Sequence, residues 1–391
     1  MNTKLKTKIN IYNTLFIIAY GSFYVSLVLN DIYQISDSIG IMSKCLRMIT
    51  YAISVILFLQ SGIRVDDLWK LIFLLGIFII YTIVTKDTYL ISIVLLVYGS
   101  RKYDTTKLFS YSFRILFVCT LLTILLMLIG VLPDYLTAKA FATELSRHSL
   151  GFYHSDVFPA TIVYLQVYYN WEHRQKTKTK NQFVFVIFHL VAYFLCSSRV
   201  CVIVGLSYSF MVLFVSAIKS IRLKMVIANT INTISNNICA FCSLISIIGM
   251  LLVQRISKLY YIDYLFSFRL FYASLKMDRV GIHLLNLMDN DSFYGTDKII
   301  VDNGYLYITL RFGIVLLLVL LFINRMLNDK CDNNLIVRLS IITVFLMGYI
   351  DNDFLSYGFL PIMITSVYSN TITKKDMEYG TTFSVNNNEY I

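Results

Sequence analysis

Eight residues, Arg147-His-Ser-Leu-Gly-Phe-Tyr-His154, place a guanidinium and two imidazoles beside a glycine in a chain that is otherwise oily. Guanidinium groups hold phosphate oxygens with paired donors and never lose their charge. An imidazole takes or releases a proton near neutrality. Glycine at 151 permits a turn that brings His154 back towards Arg147. A second stretch, residues 267–285, carries Arg269, Lys276, Arg279 and His283 at spacings of 7, 3 and 4, one stripe of a helix. Phe271, Leu275, Ile282 and Leu285 fall opposite, with Asp278 as a defect among them. This pattern predicts an interfacial helix with its apolar face in lipid and its basic face along a cleft. The plainer reading is an interfacial helix whose charges touch lipid headgroups.

A third stretch, residues 301–314, puts Asp302 and Asn303 just before an apolar run, where a side-chain oxygen caps a helix start. Alternatively, Asp302 faces a cleft with Arg311 below it, one to two turns inside the apolar run. Arg199 stands at the tip of a tight turn in residues 197–205, and Arg255 opens another polar segment. His173 lies in a basic loop and reads as solvated. His189 is alone among Phe and Leu and reads as a satisfied contact between helices.

The elements that must carry these residues follow from composition. Of 391 residues, 57% are hydrophobic and only 15% charged, which makes lipid the solvent. The apolar runs reach the roughly 17–25 residues a crossing helix needs, and they do not alternate as barrel strands would. The fold class is all-α, a polytopic helical bundle. About twelve spans fall near 11–30, 41–60, 71–85, 88–99, 108–132, 157–171, 182–196, 200–217, 237–254, 304–323, 336–350 and 354–370. Residues 1–370 form one integral membrane domain and 371–391 a polar cytoplasmic tail.

Lysine and arginine collect in alternate short loops, at the N-terminus and near 100–107, 172–180, 219–224 and 374–375. By the positive-inside rule these are cytoplasmic, as are both termini of a multi-pass cell-membrane protein. The net charge of +11 has the same origin, and nucleic acid is not an expected partner. The two long extracytoplasmic loops are then 133–156 and 255–303, and five arginines stand on that side, against the rule. The Cys239/Cys242 pair has no second pair or histidine cluster to complete a zinc site, so no metal is expected, and no nucleotide-cradling or hydrolase motif appears.

On these features the chain resembles the Wzy-type polysaccharide polymerases, integral membrane glycosyltransferases related in plan to O-antigen ligases. Arg147, Leu150, Gly151, Phe152 and His154 match an Arg, Leu-Gly-Phe, His pattern of that family. Ser155 and Asp156 stand where Pro-Asn is usual. Asp302, Asn303, Tyr305 and Leu306 match an Asp-Asn-x-Tyr-Leu pattern. The resemblance implies a GT-C-like plan and growth of undecaprenyl-diphosphate-linked glycan into a capsule, exopolysaccharide or O-antigen. It implies no metal and no cofactor, with a chain-length regulator and a flippase as partners. Transfer to a different acceptor, as by a ligase, and transport of the lipid-linked glycan are the alternatives.

Under this reading Arg147, Arg269, Arg199 and Arg279 meet the diphosphate, with Lys276, Arg255 and Arg311 as further basic contacts. His154 is the first choice for general base, and His283 and Asp302 are the alternatives.

Overall fold

The computed structural model describes residues 3–368 except 33–36, 62–74, 77–78, 84–88, 101–102, 104–106, 140–141, 176, 287, 289–292, 294, 296–298, 331–333, 352–353 and 355–356. The first helices are α1 (Thr3–Asp31), α2 (Asp37–Ser61), α3 (Tyr89–Gly99) and α4 (Leu108–Leu128). A hairpin of β1 (Leu136–Lys139) and β2 (Ala142–His148) follows. Next come α5 (Val157–Glu172), α6 (Thr179–Cys196), α7 (Arg199–Ala217) and α8 (Ile221–Leu252). Two shorter helices, α9 (Ser257–Leu265) and α10 (Arg269–Val280), precede α11 (Gly304–Arg311), α12 (Ile314–Lys330), α13 (Leu335–Gly348) and α14 (Phe359–Tyr368).

Among the described residues, six helices are long and apolar enough to cross a membrane: α1, α2, α4, α6, α7 and α8. Their surfaces carry the stronger argument. On α6 and α7, Phe194 is 80% exposed and Phe210 67%, while Gln182, His189 and Ser209 are buried. Apolar side chains outside and polar ones inside invert the soluble pattern and suit a hydrocarbon surround. The chain is a membrane-embedded, predominantly helical protein.

Two helices form the centre. α5 and α13 bury nearly every side chain and pack on each other and on α7. A helix enclosed on all sides has no single apolar face, and α5 accordingly mixes Val163 and Val167 with Gln166 and Asn170. Gln166 donates to Ser209 Oγ (2.6 Å) and Gln182 Oε1 (3.1 Å), and its Oε1 lies 2.8 Å from His189 Nε2. The His189 ring sits where a side chain on Gly205 would be: an added Cβ would fall 2.2 Å from Cε1.

Three expectations are revised. The loop at 133–156 holds the β-hairpin, with Leu136 opposite His148 and Thr137 opposite Arg147. Span nine begins earlier than 237: α8 has 32 residues, about 48 Å at 1.5 Å per residue, so residues 221–224 of the basic loop become its first turn. Span ten, expected unbroken over 304–323, is cut after Phe312. Gly313 takes φ +94°, and any Cβ there would lie 2.6 Å from the Leu284 carbonyl oxygen. Residues 283–286 fill the cut: Ile314 N donates to His283 O (3.1 Å), Val315 N to Leu284 O (3.0 Å), and Asn286 N to Phe312 O (3.1 Å). These bonds satisfy backbone groups that a broken helix would leave bare. Most of span three, 71–85, lies outside the described residues.

Candidate active site

A cleft opens at one end of the bundle, where α1 and α13 finish and α5, α7, α10 and α11 begin. It encloses about 600 Å³ of empty space, its open mouth included. Four carboxylates line it, Asp31, Asp156, Asp302 and Asp351, together with Arg269, His154 and the phenols of Tyr153, Tyr164 and Tyr357. Segments far apart in sequence therefore converge on one charged space.

The stretch around His154 is held from below. Asp134 accepts backbone hydrogen bonds from Ser149 and Leu150 (2.9 Å each) and pairs with His148 Nδ1. Leu150 and Gly151 both turn through positive φ, 53° and 86°. A Cβ on Gly151 would meet Thr123 and Met127 of α4 at 3.2–3.3 Å, so the turn packs directly on that helix. Chain reversal here brings Arg147 and His154 to the same carboxylate, Asp156, at the start of α5.

Asp156 is the hub. Arg269, only 4% exposed, donates from its Nη2 to Asp156 Oδ2 at 3.3 Å. His154 Nδ1 lies 3.8 Å from the same oxygen and accepts the Asp156 backbone N–H at 3.1 Å. Burial alone would push the Asp156 carboxyl up. His154, Arg269, the Ser198 hydroxyl and Arg147 outweigh that and hold it below the usual carboxylate range. For Arg269, burial works against the charge, while Asp302 and Asp156 favour it and carry the guanidinium above its ordinary value. The Nε atoms of both Arg147 and Arg269 are buried without a hydrogen-bond partner among the described residues.

The position of Arg269 follows from an unusual local structure. Ser267 and Phe268 both take left-handed φ, 65° and 59°, between α9 and α10. Asp263, buried in α9, accepts the N–H of Leu270 (3.1 Å) and Phe271 (2.8 Å), capping α10 from outside it. Burial raises the Asp263 carboxyl, and those two N–H donors oppose the rise. Capping bonds and strained turn together aim Arg269 at the cleft.

The rest of the lining is largely acidic and phenolic. Tyr357 donates its hydroxyl to Asp31 Oδ2, and Tyr164 donates to Asp351 Oδ2 at 2.7 Å. The Tyr357 carbonyl accepts from Tyr24 (2.9 Å) and from Tyr168.

The structure divides the expected basic stripe. Arg269 and Lys276 are buried on α10, Arg279 is exposed, and His283 lies beyond the helix, which ends at Gly281 with φ +75°. Lys276 packs its ammonium 5.0 Å above the Phe293 ring, away from the cleft lining. His283 Nε2 bonds the Val280 carbonyl (2.9 Å), and its own carbonyl closes the cut in span ten. Asp278, the defect in the apolar stripe, accepts from Gln254 at 3.0 Å.

Asn303 is the cap of α11, accepting from Leu306 N at 3.1 Å, which leaves Asp302 to line the cleft. Arg311 does not reach that cleft. It bonds the hydroxyls of Tyr81 and Tyr307 and stacks on Phe312, tying span ten to residues 79–83. Arg199 and Arg255 are exposed and off the lining; instead, the first turn of α7 contributes Cys201 to the lining, and Ser198 just before it bonds Asp156.

No sequence pattern singles out Asp31, Asp351 or Tyr357, and Asp156 stands out only as a departure from the family pattern. A signal is present nonetheless. Asp31 and Asp351 terminate apolar runs, where an ionisable side chain is expensive. Among the described residues no group of three His, Cys, Asp or Glu side chains is arranged to hold a metal ion.

These features define a helical membrane protein with a charged cleft at one end of its bundle. In comparisons with known proteins, no family model matches the chain, and no curated protein or solved structure resembles it significantly.

Proposed function

We propose that the chain is a metal-independent glycosyltransferase of the Wzy type, polymerising undecaprenyl-diphosphate-linked repeat units at the outer face of the cell membrane. One observation carries this reading: a single cleft sets the Arg269 guanidinium beside His154 and Asp156 among further carboxylates and phenols, with Arg147 acting on the same Asp156. A diphosphate leaving group gathers negative charge as its bond to sugar C1 breaks, and fixed guanidiniums stabilise that charge. Carboxylates and phenols are the partners that sugar hydroxyls use. With Arg199, Arg255, Arg279, Lys276 and Arg311 off the lining, the diphosphate contact falls to Arg269 on the lining and to Arg147, which acts on the same Asp156.

In this proposal the cleft end is extracytoplasmic, both termini are cytoplasmic, and about twelve GT-C-like crossings include the broken and short helices. The partners are the lipid-linked glycan, bilayer lipid, and the flippase and chain-length regulator of the same export route.

The test is purified protein in lipid nanodiscs, given lipid-linked repeat units extracted from the cells that make it. Polymerisation yields a ladder of longer lipid-linked products, and Arg269→Ala lowers turnover by about 10²–10³-fold. Products moved to another acceptor would point to a ligase. Carriage of the lipid-linked glycan has one observation in its favour, the cut at Gly313, since broken helices are common in transporters. Repeat units left chemically unchanged, but translocated in proteoliposomes, would decide for a carrier and against the polymerase.

A further inference from the structure

We propose that Asp31, held in place by Tyr357, is the base that accepts the proton of the attacking sugar hydroxyl. The assignment rests on the glycosyltransferase reading, and it names a residue outside every motif on which that reading was built.

Asp156 is bonded to Arg269 and kept ionised by its neighbours, which makes it a weak base. Asp302 is the neighbour that most favours the Arg269 charge, which ranks it behind the carboxylates that act on Arg269 less. His154 adjoins Asp156, and its Nδ1 is already occupied by a backbone N–H. His283 lies off the lining. Asp31 and Asp351 remain, both bonded to tyrosine hydroxyls.

Asp31 is the better anchored of the two. It is 8% exposed, against the half-buried Asp351. Its main-chain carbonyl accepts Tyr153 N at 2.9 Å, and the next residue, Ile32, forms a bridge with Phe152. Asp31 is thereby tied to the same loop that carries His154. Its carboxylate accepts from Tyr357, whose carbonyl is gripped by Tyr24 of α1 and Tyr168 of α5. Tyr357 is thus fixed at both ends, and the carboxylate with it. Tyr357 occupies Oδ2, and Oδ1 is the oxygen assigned to substrate. The titratable or charged groups acting on Asp31 are Tyr357, Asp351 and Arg47. Preorganisation of this kind puts a base in reach without a conformational search.

The step balances. The acceptor hydroxyl oxygen forms a bond to C1 of the donor sugar as its proton passes to Asp31 Oδ1. The bond from C1 to the phosphate oxygen breaks, and its electron pair leaves with undecaprenyl diphosphate on the Arg147 and Arg269 side. The proton on Asp31 then escapes through the cleft mouth.

The experiment compares wild type, Asp31→Asn, Asp31→Glu and Tyr357→Phe in the nanodisc assay with the same extracted repeat units, each checked for wild-type thermal unfolding. Asp31→Asn should lower kcat by about 10²–10⁴-fold, with KM changed less than about threefold, and should abolish the acid limb of the pH–rate profile. Asp31→Glu should recover part of kcat. Tyr357→Phe, a positioning change, should lower kcat about tenfold at unchanged KM while keeping the acid limb. An active wild type whose Asp31→Asn form keeps more than a tenth of its kcat, or retains the acid limb, overturns the role of Asp31 and leaves the polymerase reading standing. A wild type that extends no glycan removes that reading and this proposal together. If Asp31→Asn fails to fold, Tyr357→Phe decides: wild-type kcat in that variant overturns the proposal.

Discussion

Asp156 takes its charge state from neighbours on four segments: His154 beside it, Arg147 at the end of β2, Ser198 before α7 and Arg269 at the start of α10. Desolvation of a lone carboxylate would drive it towards the neutral acid, and here the surrounding donors and cations reverse that. The sign of the pH dependence follows. A carboxyl lowered on folding contributes stability that is fully present above its unfolded value, about 3.9, and lost as pH falls through the lower folded value. Asp156→Asn should therefore cost about 1.5–3 kcal/mol near neutrality, the range for a hydrogen bond to a charged group. The deficit should shrink only below the ordinary carboxylate range. Thermal unfolding in detergent from pH 7 down to acid measures it, and a deficit that fades already between pH 7 and 5 would contradict the assignment.

At the scale of elements, polar side chains rather than apolar ones specify how α5, α6 and α7 meet. Apolar packing discriminates poorly between helix partners when lipid tails offer the same contacts, so hydrogen-bonded groups and small residues set the pairing. Gln166, Gln182, His189 and Ser209 supply the bonds, and Gly205 supplies the space for the imidazole. Gly205→Ala should destabilise the protein by about 1–3 kcal/mol, the usual cost of overpacking. Adding His189→Ala should recover part of that loss, because the clash needs both side chains. Additive losses in the double variant would show that the ring does not occupy the glycine's space. A similar economy governs α9 and α10, where buried Asp263 caps a helix it does not belong to and so fixes Arg269.

For the whole molecule, every group lining the cleft comes from the end of the bundle at which the span count gathers the 133–156 and 255–303 segments. On the proposed orientation that end faces outward. Single cysteines in a cysteine-free background test it in intact cells. Leu284→Cys, at a position 72% exposed, should react with a membrane-impermeant maleimide at once. Lys178→Cys, at an exposed position in the basic segment after α5, should react only after permeabilisation. Labelling of both from the same side would break the alternation on which the orientation depends.

Class and local chemistry were determined by the sequence alone. Apolar runs of crossing length declare a membrane protein because hydrocarbon tolerates few charges, and this depends on composition within one short window. Arg147, His154, Arg269 and Asp302 were legible as costly charges, and Asn303 as a helix cap, because desolvation and capping are properties of a residue and its near neighbours. The tertiary structure alone decided which of those charges share a space. Arg199, Arg255, Arg279 and His283 have the same local credentials as Arg269, but only the strained turn at Ser267–Phe268 and the buried Asp263 aim one of them inward. Lys276 and Arg311 are buried too, yet they end on Phe293 and on Tyr81 with Tyr307. Asp31 and Asp351 stand 320 residues apart by their numbering in the chain, and no periodicity links them. Electrostatic coupling depends on distance in space, and that distance exists only once α1, α5 and α13 have packed.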